Sequence, residues 1–354
     1  MTVDARGVAT GTGAPALRRL EEGDAARWDE YVAGCGQASF FHRAGWRRVL
    51  ERAFGHDTYY YYVESQGRIR GVLPLGHIRS RLFGNALISV PFCVYGGAAA
   101  DDAEAAAMLE RAAEDLARRL GVDYLELRYR EPRAGARPVK QLYVSFRKPI
   151  DPDPEKNLLA IPRKQRAMVR KGIDAGLTSE IDAGVERFFD AYAESVRNLG
   201  TPVFSKKYFR CLKEEFGDDC EVLTVTRDGA VVASVMSFYF RDEVLPYYGG
   251  GTSAARRVAG NDFMYWELMR RVCGRGVRIF DFGRSKQGTG AYSFKKNWGF
   301  NPEPMHYEYL LVKAKAVPEV NPLNPKYRLM IDVWRRLPLP VSKLVGPWIS
   351  RSLG

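Results

Sequence analysis

The sequence predicts an α/β protein with mixed sheets, built from two tandem copies of one domain and closed by a basic C-terminal tail. Three observations carry this expectation. Short apolar runs bounded by Gly-rich turns alternate with helix-length amphipathic stretches, in the same order in both halves. Local words recur at a separation of roughly 155 residues, too long for a solenoid. They are YGG at Tyr95–Gly97 and Tyr248–Gly250, GVDYLELR from Gly121 against GVRIFDFG from Gly276, and hairpin turns at Gly67 and Gly229. Finally, 354 residues suffice for two separate cores.

Taken in order, residues 1–16 are polar and rich in Gly, Ala and Thr, without the apolar stretch of a signal peptide, and read as a disordered leader. The first copy is expected over 17–153. Asp24–Gly34 and Phe40–Gly55 read as helices; in the second, Trp46, Val49, Leu50 and Ala53 share a face and Gly55 ends it. Tyr59–Glu64 and Ile69–Leu75 form a hairpin, and Leu87–Tyr95 a strand ended by Gly96 and Gly97. Asp101 and Asp102 open a helix to Leu120, followed by strands Val122–Tyr129 and Gln141–Phe146.

The second copy is expected over 154–315. It begins with a basic helix at 162–175, carrying Arg163, Lys164, Arg166, Arg170 and Lys171. Two helices follow, near 184–199 and 203–217, then a hairpin (Glu221–Thr226, Ala230–Tyr239) and a strand Glu243–Tyr248 ended by three glycines. Asn261 is expected to cap a helix to Cys273. Val277–Phe282 reads as a buried strand, followed by a turn with Arg284 and Lys286, an aromatic and basic segment, and a last strand near Leu311.

The tail, 316–354, changes character. From Asn321 it holds six basic residues against Asp332, interleaved with Trp334, Leu344, Val345 and Trp348. Such a segment suits an anionic membrane surface, or a helix docked on the protein and broken by Pro338 and Pro340.

Composition narrows the chemistry. A net charge of +12 predicts attraction to polyanions, whether RNA, anionic lipid or phosphorylated substrates. The five cysteines are scattered without CxxC spacing, and the four histidines form no HExxH pair. Neither a disulfide framework nor a metal site is expected. With no run near the roughly 18 apolar residues that span a bilayer, the expected location is the cytoplasm, including a peripheral position on the inner face of the plasma membrane.

The strand end at Arg284 and Lys286 offers cations and aromatics with no Cys, His or carboxylate pair, which suits a phosphate, carboxylate or carbonyl group. Arg166 and Arg170 fit a phosphate or RNA backbone, or a solvated linker helix. A strand, Gly-rich loop and helix can cradle phosphate. The first copy opens that helix with Asp101 and Asp102, which would repel it; the second precedes it with Arg256 and Arg257, which would attract it. RRVAGND resembles the (Arg/Gln)-x-x-Gly-x-(Gly/Ala) loop of the acyl-CoA N-acetyltransferase (GNAT) fold at Arg257 and Gly260. Asp262 stands where a small residue belongs, and its carboxylate is expected to face the pyrophosphate.

The paired copies, the basic IPRKQRAMVRKG stretch and the closing FDFGRSK and YSFKKNWGF segments resemble the FemAB family of aminoacyltransferases, whose members carry tandem GNAT-like domains. The basic stretch and TPVFSKKYF are most similar to the exosortase/PEP-CTERM and exopolysaccharide-associated branch. The resemblance spans about Leu17 to Val312 and is most specific at Phe294–Gly299. It implies an amide-forming enzyme that takes an acyl group from aminoacyl-tRNA, or from acyl-CoA, and binds no tight cofactor and no metal. It places the catalytic lysine at Lys295, where a fixed cation would stabilise the oxyanion formed during aminolysis. It places substrate-contacting tyrosines at Tyr208 and Tyr248; Tyr292 and Lys296 join them as substrate-binding candidates. The chain departs from the family at Leu50 and Phe204, where members acting on the cell-wall precursor carry lysine and arginine. A different amine acceptor is therefore expected, such as an amino sugar or a UDP- or lipid-linked sugar. The alternatives are an acyl-CoA-dependent N-acetyltransferase of an amino sugar, and a non-catalytic RNA- or membrane-binding scaffold on a decayed transferase fold.

Overall fold

A computed structural model describes residues 14–80, 83–133, 135, 137–318 and 325–354, with side chains in the last segment from 329 onward. The leader expected at 1–16 lies outside the described residues up to position 13; Ala16 already belongs to a strand. Tail residues 319–324 also lie outside them.

The chain starts with β1 (Ala16–Arg19), α1 (Ala25–Gly34), α2 (Gly45–Phe54), the hairpin β2 (Asp57–Ser65) and β3 (Arg68–Ser80), and β4 (Gly84–Ile88). There follow β5 (Ala99–Ala100), α3 (Ala103–Leu120), β6 (Tyr124–Tyr129), β7 (Val139–Lys140), β8 (Tyr143–Ser145) and β9 (Arg147–Pro149). Next are α4 (Pro154–Ala160), α5 (Arg163–Asp174), β10 (Thr178–Asp182), α6 (Glu186–Leu199) and α7 (Lys206–Phe216). The hairpin β11 (Cys220–Arg227) and β12 (Ala230–Phe240) leads to β13 (Glu243–Gly251), α8 (Gly260–Cys273), β14 (Ile279–Asp281) and β15 (Ser285–Lys286). The chain ends with α9 (Gly290–Asn297), β16 (Glu303–Pro304), β17 (His306–Leu311), α10 (Pro325–Arg336) and α11 (Leu339–Ser350).

The repeat seen in the sequence is a repeat of topology. In each half a hairpin, a third strand and a helix precede a strand that pairs in parallel with the third: β4 with β6, and β13 with β14. The first sheet has the order β1-β2-β3-β4-β6-β17-β7, with β5 on β3, and the second β10-β11-β12-β13-β14-β9. A small third sheet, β15-β8-β16, bridges them. Each large sheet is thus extended by a strand from the other half of the chain: β17 pairs antiparallel with β6, and β9 antiparallel with β14. A sequence boundary at 153/154 does not separate the two sheets.

Aromatic packing joins the halves. Phe40 stacks on Phe238 at 4.5 Å and meets Phe216 at 4.6 Å, while Trp46 packs edge-on against Phe238. Such pairs add about 0.5–1.5 kcal/mol each beyond the area they bury.

Several expectations change. The strand expected over Leu87–Tyr95 stops at Ile88, because Val90 and Phe92 take φ of 51° and 68°, which no ladder tolerates. The strand expected to end at Tyr248 runs on through Gly251. The glycines there are packing residues: a Cβ on Gly250 would lie 2.6 Å from that of Ser195 on α6. Asn261 does not cap α8, which starts at Gly260 after a left-handed Ala259. The strand expected over Val277–Phe282 spans only β14, and the segment with Lys295 is helix α9, N-capped by Thr289. No helix among the described residues is long and apolar enough to cross a membrane. The five cysteines are free and buried.

Candidate active site

The repeat supplies the key to the site. Aligning GVDYLELR with GVRIFDFG puts Glu126 opposite Asp281 and Arg128 opposite Gly283. In the first copy the β4–β6 ladder ends at Ile88, and the buried Arg128 bonds the loop that follows. Its guanidinium donates to Glu126 at 2.6 Å and to the carbonyl of Cys93 at 2.6 Å, and sits 5.4 Å from the Tyr307 ring centre. In the second copy the equivalent position is Gly283, with φ +66° and no atom closer than 3.9 Å to where a Cβ would stand. The two copies thus differ at one position, a buried arginine side chain in the first and a buried glycine in the second.

Lys295 reaches the end of β14. From the sixth residue of α9 its ammonium donates to the carbonyls of Gly283 and Arg284, both at 3.0 Å, and lies 5.7 Å from the Phe146 ring centre. An ammonium carries three donors, so one remains for a ligand. The side chain keeps a partial opening to solvent, but its charged end is enclosed. Desolvation, and secondarily Arg284, bring its pKa down to about 7 against the pull of Asp281. Arg284 donates to the Tyr307 hydroxyl at 3.2 Å and lies over Tyr143 at 4.5 Å. Lys286 stands over the same Tyr143 ring at 5.6 Å, and burial, then Arg284 and Lys140, lower its pKa to about 8. Tyr292 packs edge-on against Phe146 at 5.5 Å. Arg284, Lys286, Tyr292 and Lys295 therefore gather around β14, β15 and β8, while Lys296 points to solvent.

Sequence reasoning missed the counter-charge. Asp281 is fully buried and accepts from the Gly283 N–H at 2.7 Å and the Tyr95 hydroxyl at 2.9 Å, with Ser145 bonded to Tyr95 and Asp281. A lone acid inside the apolar run IFDF was the available signal. Ser145 also lines a cavity of about 290 Å³ with Arg130 and Glu303. Arg130 is shared with a larger cavity of about 470 Å³, walled by Gly96, Ala98 and Tyr129 at the start of α3. The Arg130 Nε is buried without a hydrogen-bond partner.

Tyr208 and Tyr248 are not presented to a ligand. Both are buried, their hydroxyls bond each other at 2.8 Å, and Phe54, Phe204, Phe209 and Tyr192 pack around them. Leu50 is buried as well, beside this aromatic core. The carboxyl-terminal segment covers it: Arg351 donates to the Phe54 carbonyl at 2.7 Å, and its own carbonyl meets His56 at 2.8 Å.

On the other side of α9 lie the basic helix and the loop before α8. Asp262 does not face that loop's exterior. It is buried, and its carboxylate accepts from Gln165 on α5 and from the Trp298 indole N–H, at 3.1 Å, just after α9. One carboxylate thus ties α5, α8 and the helix of Lys295 together. Asp262→Ala is expected to cost about 1–3 kcal/mol through the two orphaned donors. A urea midpoint unchanged from wild type would show that the helices are held by other contacts.

Gly260 owes its identity to packing, since a Cβ would fall 2.4 Å from Val232. The loop's Thr252, Ser253, Ala255, Arg257 and Gly260 N–H groups are already engaged, Ser253 by Glu194. A phosphate here would depend on side chains: Arg256 and Arg257 are exposed and unpaired, as are Arg163, Lys164 and Arg170 on α5, while Arg166 donates to the Leu159 carbonyl. No cluster of metal-binding residues occurs among the described residues.

Residues 163–296 match the acetyltransferase (GNAT) domain family. The structure of FemX is similar over 89% of this chain and all of that one, at 14% identity and a TM-score of 0.67. A tandem GNAT protein from the clavulanic acid biosynthesis pathway is similar over 86% of this chain and all of that one, at 14% identity and a TM-score of 0.52. The fold is a tandem GNAT fold. A third likeness is to the C-terminal domain of a putative lysylphosphatidylglycerol synthetase from Agrobacterium fabrum, with 15% identity, a TM-score of 0.55, and coverage of 81% of this chain and 92% of that one. No curated protein sequence matches.

Proposed function

We propose that this chain is an amide-forming acyltransferase of the FemAB type, acting on an amine acceptor in cell-envelope or exopolysaccharide assembly. The observation that carries this reading is the Lys295 ammonium, held by two carbonyls just after β14 with one donor to spare. The acceptor amine attacks the donor's carbonyl carbon; a C–N bond forms and the carbonyl oxygen becomes an oxyanion facing Lys295. Collapse breaks the bond to the leaving group, and the amine's proton passes through water to that leaving oxygen or sulfur. A fixed, partly desolvated cation stabilises such an oxyanion without a covalent enzyme intermediate. Arg284 and Lys286 would hold an anionic part of the substrate.

Aminoacyl-tRNA is the proposed donor, because exposed, unpaired cations lie both on the loop before α8 and on α5, which packs against α8, more than one pyrophosphate needs. Acyl-CoA is the second reading, favoured by the burial of Asp262, which removes its carboxylate from the loop's exterior. Titration with aminoacyl-tRNA, uncharged tRNA and acetyl-CoA at two salt concentrations tests both. The expected result is salt-dependent preference for charged tRNA, lowered at least about tenfold in the double variant Arg256→Glu/Arg257→Glu. Tight, weakly salt-dependent acetyl-CoA binding would establish the second reading, and binding of neither would overturn both.

A further inference from the structure

The tail helices hold the body of the protein with their small residues and leave their large ones outside. In α11, Ser342, Gly346 and Ser350 recur every fourth residue and are buried. Ser350 donates to the Val203 carbonyl at 3.1 Å, and a Cβ on Gly346 would come within 3.0 Å of Val203. The opposite stripe, Val341, Leu344, Val345 and Trp348, is exposed, Leu344 to 72% and Trp348 to 75%. In α10, Trp334 is buried and Ile331 lies against Gly200, while Leu329, Met330 and Val333 face solvent. Both helices pack on α6, whose last residue, Leu199, is exposed beside them. Residues 329–353 thus hold eight of the fifteen exposed large hydrophobic residues among those described. An ordinary surface helix is turned the other way.

Positive charge surrounds this stripe. Arg335 and Arg336 are exposed, Lys343 reaches Asp190 at 2.6 Å, and Arg351 lies at the far end. We propose that the outward face of α10 and α11 seats the protein on an anionic lipid bilayer, lying in the headgroup plane without crossing it. Aliphatic side chains and an exposed indole enter the acyl boundary while arginine and lysine meet lipid phosphates. A second copy of the chain is a poorer occupant, since the same basic rim would meet itself. The proposal stands independently of the acyl-transfer chemistry.

Trp348 provides the readout, because the other five tryptophans are buried. The full chain is mixed with vesicles of phosphatidylcholine containing about one-quarter phosphatidylglycerol, with pure phosphatidylcholine vesicles alongside, and brominated lipid in a parallel set. The expected result is co-sedimentation with the anionic vesicles, weakened by salt, and quenching of tryptophan emission by brominated lipid. Leu344→Asp/Trp348→Asp, which changes only outward side chains, is expected to lower vesicle partition at least about tenfold while its melting curve stays that of wild type. The proposal is overturned if the wild-type chain stays in the supernatant, if the double variant partitions as well as wild type, or if the chain is a dimer that the double variant splits.

Discussion

On the proposed role, Lys295→Ala is expected to lower kcat by about 10²–10³-fold and leave donor affinity nearly unchanged, because the ammonium would act on charge that develops only in the transition state. Its pH dependence has a definite sign. The cation is needed, and its pKa is near 7, so kcat/KM falls as pH rises through 7. A profile that instead rises through 7 would make neutral Lys295 a base and sink the oxyanion role. Stability moves the opposite way. Folding lowers the lysine's pKa from its ordinary 10.5 to about 7, so between those values the unfolded chain holds the extra proton. Stability therefore rises with pH over that window. Lys295→Met is expected to melt higher than wild type at pH 6, with the difference fading towards pH 10.

Arg128→Ala produces the largest loss of stability, about 3–5 kcal/mol, because it leaves Glu126 buried without its partner. The carbonyl of Cys93 also loses a donor. Urea unfolding measures this directly. Arg128→Met/Glu126→Gln, which removes both charges, is expected to recover more than half of the loss. If Arg128→Ala unfolds within about 1 kcal/mol of wild type, the buried pair is not what holds this part of the fold.

The sequence carried the tandem architecture well because topology follows hydrophobic period and glycine turns, both local. The matched GVDYLELR and GVRIFDFG even held the asymmetry between the copies, in Arg128 against Gly283, although the loop carbonyl that Arg128 meets is seen only in three dimensions. Lys295 entered through family resemblance; its helix was hidden by the aromatic run AYSFKKNW, which carries no clear period. Tyr208 and Tyr248 illustrate the limit. Their positions match the family, but the hydroxyls face each other inside a cluster built from Phe54, Phe92 and Phe204, and side-chain burial of that kind depends on residues about 150 positions apart. Asp262 was misread for the same reason: its partners, Gln165 and Trp298, lie far away in sequence on either side.

The exchange of β9 and β17 also sets an order in time. As the chain leaves the ribosome, β9 is already made when β14 appears, so the second sheet can close once residue 281 is out. The first sheet must wait for residues 306–311, with β6 left as an open edge through the synthesis of everything between. The half that is translated first is therefore finished last, and the strand that finishes it delivers Tyr307 to Arg284.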